Sequence, residues 1–263
     1  MRPQRYIGIT GLMHWTQVEA ICPVLTKAAD YRIMIGVLVS SKTLRGEPNK
    51  YPKLYPKIGE LKDVLTGYPH ALNLVHYNTD TPEHLCAEMR HVRSLSGEHC
   101  HGFQLNVAWP SISDLNEYHY GDYGFEDKPP RQDTIVLQIG SRAIEQRDKS
   151  PRMIAEQVRE YGKLIDYVLI DPSGGTGKEF DESFVFACRQ QLDLMCPEIG
   201  VGVAGGLKPD NLERKLGDLF RHYPDTSFDT QSGVHDKDGH LLISHCKTFI
   251  EKGKRLYKQY APV

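Results

Sequence analysis

No surplus of positive charge is available to this chain of 263 residues: 32 lysines and arginines stand against 34 aspartates and glutamates, for a net charge of −2. Proteins that grip nucleic-acid phosphates need a basic field, so nucleic acid is not expected as a partner and any anion has to be held by local groups. No apolar run approaches the roughly twenty residues that span a bilayer. The amino terminus passes straight into a strand-like run, Tyr6-Ile7-Gly8-Ile9-Thr10, with no apolar stretch of the kind that marks a secretory signal. No membrane contact and a cytoplasmic location are the expectations. The six cysteines, Cys22, Cys86, Cys100, Cys188, Cys196 and Cys246, form no Cys-x-x-Cys pair and no Cys/His finger spacing. They read as free thiols in a reducing compartment, and no metal centre is expected. Internal repeats and low-complexity tracts are also missing.

What is present is enough apolar residue, 40% of the chain, to bury one large core, so a single domain over residues 1–263 is expected. Short apolar runs alternate with amphipathic segments, the pattern of βα units around a parallel sheet. Eight strands are predicted: Tyr6–Thr10, Arg32–Ser40, Ala71–Tyr77, Gly102–Ala108, Thr134–Ile139, Tyr167–Asp171, Gly200–Ala204 and Ser227–Gln231. Between them, Leu85, Met89 and Val92 share one helical face after the Thr81-Pro82 start. Leu212, Leu216, Leu219 and Phe220 share another, and Leu242, Cys246, Phe249, Ile250 and Leu256 a third. The fold class expected is α/β, a (β/α)8 TIM barrel.

Two segments break the rhythm. Residues 41–55 hold prolines, lysines and Arg45, and read as a polar loop that covers the site. Residues 111–133 are aromatic and glycine-rich and end in Pro129-Pro130, and read as a long insertion that replaces or extends the fourth helix.

The chemistry concentrates near the carboxyl end of the chain. Val203-Ala204-Gly205-Gly206-Leu207 ends a strand in paired glycines, and a proline, Pro209, opens the helix that follows. Backbone N–H groups approach an anion closely where no Cβ intrudes, so this is a candidate phosphate seat. Asp229-Thr230-Gln231-Ser232-Gly233 forms a second, and in barrels the turns after strands 7 and 8 often share one phosphate. Asp171, at the end of the sixth strand and ahead of a glycine-rich loop, is placed where barrel enzymes carry catalytic groups. His235-Asp236-Lys237-Asp238-Gly239 lacks the closing glutamate of a calcium loop and reads as a solvent turn.

Three motifs in order, Ile170-Asp171 with Gly174-Gly175-Thr176-Gly177-Lys178, Val203-Ala204-Gly205-Gly206-Leu207, and Phe228-Asp229 with Ser232-Gly233-Val234, resemble the phosphoribosylanthranilate isomerase family. Gly8-Ile9-Thr10, Lys42-Thr43-Leu44-Arg45 and Phe103-Gln104-Leu105 extend the resemblance. It implies an Amadori rearrangement of an aminoaldose phosphate to an aminoketose, without metal or organic cofactor. It further implies that Asp171 is the general acid and that Gly205, Gly206, Ser232 and Gly233, with Gly175 and Thr176, hold the phosphate. Arg45 would meet the substrate carboxylate, a task suited to a bidentate guanidinium, while Gln104 and Asp229 would line the pocket beside the sugar.

Three departures accompany the resemblance. The family's catalytic base, a cysteine immediately before Gly-Ile-Thr, is replaced by Ile7, which cannot take a proton; Asn106 stands for the usual histidine; and residues 111–133 have no counterpart. His76 and His14 are the candidate replacement bases. The expected function is acid–base isomerisation of a phosphorylated sugar derivative. Alternatives are a phosphosugar lyase on the same site, or a barrel that has lost its base and only binds a phosphorylated metabolite. The oligomeric state is left open.

Overall fold

The computed structural model of the protein describes residues 2–21, 30–121, 132–173 and 181–260. Among them, eight parallel strands pair in chain order: β1 (Tyr6–Thr10), β2 (Arg32–Ser40), β3 (Ala71–Asn78), β4 (Gly102–Leu105), β5 (Thr134–Gly140), β6 (Tyr167–Asp171), β7 (Gly200–Val203) and β8 (Ser227–Thr230). The sheet closes where Ile7, Gly8 and Ile9 pair with Phe228, Asp229 and Thr230. The helices around it are α1 (Trp15–Ile21), α2 (Ser41–Arg45), α3 (Leu61–Val64), α4 (Leu85–Leu95), α5 (Ile112–Tyr120), α6 (Ser141–Glu145), α7 (Pro151–Tyr161), α8 (Glu182–Met195), α9 (Leu212–His222) and α10 (Ile243–Gln259). This is the (β/α)8 barrel.

Successive strand residues face opposite sides of a sheet, so each strand feeds two cores. Tyr6, Met34, Leu72, Leu74, Val136, Tyr167 and Leu169, with Ala204, fill the inside of the barrel. Their neighbours Ile7, Ile9, Ile33, Ile35, Phe103, Val201 and Phe228 pack outward against helix residues such as Leu216, Phe220, Phe249 and Ile250. Above the apolar interior, towards the carboxyl ends of the strands, the inward positions turn polar: Thr10, His76, Gln104, Gln138, Asp171 and Asp229 are all buried.

Several expectations shift. Residues 41–45 are not loop but the helix α2, because Ser40 accepts from the Thr43 N–H while the Thr43 side chain accepts from the Ser40 N–H, a capping box. The fourth strand ends at Leu105 rather than Ala108. The chain there leaves the sheet for Trp109, whose backbone takes φ 50° ahead of Pro110 and whose indole N–H donates to the Ala143 carbonyl at 2.9 Å. Leu242 is the half-buried N-cap of α10 rather than part of its stripe. The segment 111–133 supplies α5, with Leu115 and Tyr118 buried, and its residues 122–131 lie outside the described residues. Among the described residues no helix is long and apolar enough to cross a membrane. Five cysteines, Cys86, Cys100, Cys188, Cys196 and Cys246, are free and buried; Cys22 lies outside the described residues.

Candidate active site

The polar inward residues line a cavity of about 210 Å³ at the carboxyl end of the barrel, bordered by Asp171, Asp229, His76, Gln104, Gln138 and the turn Gly205-Gly206. Asp171 ends β6. It accepts from the Ser173 hydroxyl at 2.6 Å, from the Ser173 N–H at 3.2 Å and from the Gln138 amide at 2.9 Å. Asp229, on β8, accepts from the Thr10 hydroxyl, 3.1 Å from both carboxylate oxygens, and from Gln104 Nε2 at 3.3 Å. Among the described residues, neither a lysine nor an arginine lines the cavity. Burial raises the Asp229 pKa to about 6, the charge of Asp171 adds to the rise, and the bonds from Gln104 and Thr10 oppose it.

Gln104 Nε2 also lies 3.1 Å from His76 Nδ1 and 3.2 Å from Gln138 Oε1. Two hydrogens thus serve three acceptors, and the chain Asp229–Gln104–Gln138–Asp171 ties the two carboxylates through neutral amides. Burial holds His76 down at about 4, so its imidazole is neutral and a weak proton acceptor. His14 is exposed, bonded to Thr16, and does not border this cavity.

The two small-residue turns meet. Gly205 and Gly206 adopt φ 110° and 62°, which side chains rarely tolerate, and among the described residues their N–H groups have no protein acceptor. The Asn211 side chain braces this turn, donating to the Gly206 carbonyl at 2.9 Å and accepting from the Lys208 N–H at 2.8 Å. Thr230 donates to the Leu207 carbonyl at 2.7 Å, and a Cβ on Gly233 would overlap that same carbonyl. Ser232 borders the cavity, whereas Gly233 sits behind it and lets the turns interlock. Gly175 and Thr176 lie outside the described residues.

Arg45 is elsewhere. Its guanidinium is shared between Glu47, at 2.9 Å, and Asp80, at 3.2 Å, and it does not border the cavity. The polar segment 41–55 reaches the mouth instead through Tyr51 and Tyr55, two residues with no motif to single them out. A neighbouring cavity of about 350 Å³ shares Asn78, Asn106 and Gln138 with the first and is bordered by Asp80 and Arg142.

Ile7, at the position where the resemblance puts the family's base, faces away from the cavity. A Cβ on Gly253 of α10 would come within 2.9 Å of Ile7 Cδ1, whereas a Cβ on Gly8 would come within 2.8 Å of Asp229 Oδ1. In β1 the inward residues are therefore Tyr6, Gly8 and Thr10.

Residues 131–252 match the family model described as N-(5'phosphoribosyl)anthranilate (PRA) isomerase. That segment, a little under half of the chain, is similar to the phosphoribosylanthranilate isomerase family. The N-(5'-phosphoribosyl)anthranilate isomerase of Pyrococcus abyssi is 27% identical over 114 residues, 43% of this chain and 48% of that protein. The chain thus spans about half the length of that curated relative. The phosphoribosyl anthranilate isomerase of Thermus thermophilus superposes with a TM-score of 0.61 over 97% of this chain and 100% of that one, at 13% identity. A family structure solved with reduced 1-(o-carboxyphenylamino)-1-deoxyribulose 5-phosphate also gives 0.61, over 96% of this chain and 100% of that one, at 15% identity. A chitinase catalytic domain from Pyrococcus furiosus reaches 0.59 at 11% identity over 100% of this chain and 98% of that one. Likeness at this level shows the barrel alone, and the similarity to the family rests on the match over residues 131–252.

Proposed function

We propose that the protein isomerises a phosphorylated aminosugar by acid–base chemistry at the barrel mouth, with phosphoribosylanthranilate as the substrate class. The observation that carries the proposal is the juxtaposition of two interlocked turns, open at Gly205, Gly206 and Ser232, with two buried carboxylates, Asp171 and Asp229, in one cavity. The turns supply unpaired N–H groups to a phosphate without spending a cation. Asp171 lies on the same side, since a Cβ on Gly205 would come within 3.2 Å of Asp171 Oδ1. It is placed to protonate a ring oxygen held near the phosphate. The substrate's far end then lies in the adjoining cavity, where Arg142 has no ion pair among the described residues, and Arg45 serves to neutralise Asp80 at its rim.

The reading of a barrel that only binds rested on the loss of the base at position 7; Asp229, a second buried carboxylate beside Asp171 in the cavity, argues against it. The test is turnover of N-(5′-phosphoribosyl)anthranilate to the aminoketose, followed chromatographically. The wild type converts it, while Gly206→Asp loses phosphate-dependent binding because a like charge enters the seat. No conversion by the wild type, or unchanged affinity in Gly206→Asp, refutes the proposal.

A further inference from the structure

The resemblance leaves this barrel without the cysteine base that the family carries on its first strand. The structure shows why restoring a thiol at position 7 would not replace it: that side chain points into the helix layer, between Phe228 and Gly253. Just below the mouth the inward-facing residue of β1 is Gly8, and the space its side chain would fill is closed by Met34 Cε at 2.7 Å and by the carboxylate of Asp229 from β8, with Oδ1 at 2.8 Å. Thr10, the next inward residue of β1, then grips both carboxylate oxygens.

We propose that Asp229 is the general base, a carboxylate from β8 that reaches into the cavity beside Gly8 and Thr10 of β1. The assignment rests on the isomerase function proposed above. Among the described residues, the other titratable groups around the site do not compete. Asp171 is on the opposite arm of the amide chain and is spent on the ring oxygen. His76 reaches Asp229 only through Gln104 and is a weak acceptor. The Tyr6 phenol, below Gly8, is pushed up by burial and stays protonated. Among the described residues no cysteine borders the cavity.

The proton balance closes within the substrate. Asp171 gives a proton to the ring oxygen as the bond between that oxygen and C1 breaks, and the nitrogen lone pair forms C1=N. The Asp229 carboxylate takes the proton from C2. The C–H pair becomes C1=C2 and the C=N π pair returns to nitrogen, leaving a neutral enolamine. Loss of the C2 hydroxyl proton and gain of a proton at C1 give the ketose, with no external oxidant or reductant. A base acts in its ionised form, so the rate rises with pH through the titration of Asp229, whose midpoint near 6 suits work at neutral pH.

The test is kcat and KM for N-(5′-phosphoribosyl)anthranilate against pH. Asp229→Asn should lower kcat about 100- to 10,000-fold with KM changed by less than about threefold, and Asp229→Glu should recover part of the loss. Thr10→Val removes a donor to the carboxylate and should move the acid limb to higher pH. His76→Gln should cost under about tenfold, and Ile7→Cys should gain nothing beyond about threefold. Asp229→Asn retaining a tenth or more of kcat, an acid limb unmoved in Thr10→Val, or a large gain in Ile7→Cys overturns the assignment while leaving the isomerase function standing. A wild type without turnover overturns the function itself. Should Asp229→Asn fail to fold, the Thr10→Val limb decides.

Discussion

Asp225 and Asp229 lie four residues apart on the same strand approach, yet their surroundings push them in opposite directions. Asp225, at the floor of the barrel, is held by Arg189 at 2.8 Å and by Arg2 at 2.9 Å. Burial opposes its charge, but the two guanidinium groups outweigh burial and keep its carboxyl below the usual range. Asp229, at the mouth, is buried among hydroxyl and amide donors and sits well above it. The floor therefore uses charge to fix the chain, while the mouth retains a carboxylate that no cation among the described residues neutralises. Groups arranged in that way are characteristic of sites kept for chemistry at a cost in stability.

The largest effect is expected at the floor. Arg189 is 1% exposed, pairs with Asp225 and Asp193, and stacks over Tyr223. Arg189→Ala removes these together and should destabilise by about 2–4 kcal/mol in urea unfolding. A loss under 0.5 kcal/mol would put the floor pairs among ordinary surface ones.

At the mouth the sign reverses. Asp229 has a folded pKa raised above its unfolded value, so its stability cost is absent below about pH 4 and fully present once pH exceeds about 6. Asp229→Asn should thus stabilise the fold by roughly 1–2 kcal/mol at pH 8, as turnover is lost, and by much less at pH 4. Equal effects at both pH values would contradict the assignment of a buried, late-titrating carboxylate. For Asp225 the linkage runs the other way, with stability present above its unfolded pKa and lost as pH falls through the folded one.

Smaller changes sharpen the picture. Gly233→Ala forces the two turns apart at the Leu207 carbonyl and should weaken inorganic phosphate binding about tenfold in calorimetry, near 1.4 kcal/mol. Ile7→Cys, confined to the helix layer, should shift stability by about 1 kcal/mol.

Much of this was legible in the chain. The eight strands were, because apolar runs of β-branched residues alternate with helical stripes, and β1, β2 and β6 fall at their expected bounds. The glycine turns and Asp171 were legible because strand ends with small residues have few structural roles. Ile7 was misplaced because a motif aligned by Gly-Ile-Thr does not say which face of β1 the preceding residue takes, and a one-residue change of phase inverts it. Asp229 reads from sequence as a pocket residue; its setting as a buried, late-titrating carboxylate emerges only when Gln104 and Thr10 close around it. Tyr51 and Tyr55 carry no local signal, since their position depends on how the chain folds back after α2. Arg45 did fall within a family-like motif, yet Glu47 and Asp80 claim its guanidinium, and Asp80 comes from the end of β3.

The most direct test of the contrast between floor and mouth is a carboxylate titration by carbon-13 NMR, with Asp229→Asn identifying the resonance. Asp229 should titrate with a midpoint near pH 6, and Asp225 below the ordinary value of about 3.9. An Asp229 midpoint at or below about 4 would show a carboxylate as settled as its neighbour at the floor, and would contradict the account of the mouth as a site built around an uncompensated base.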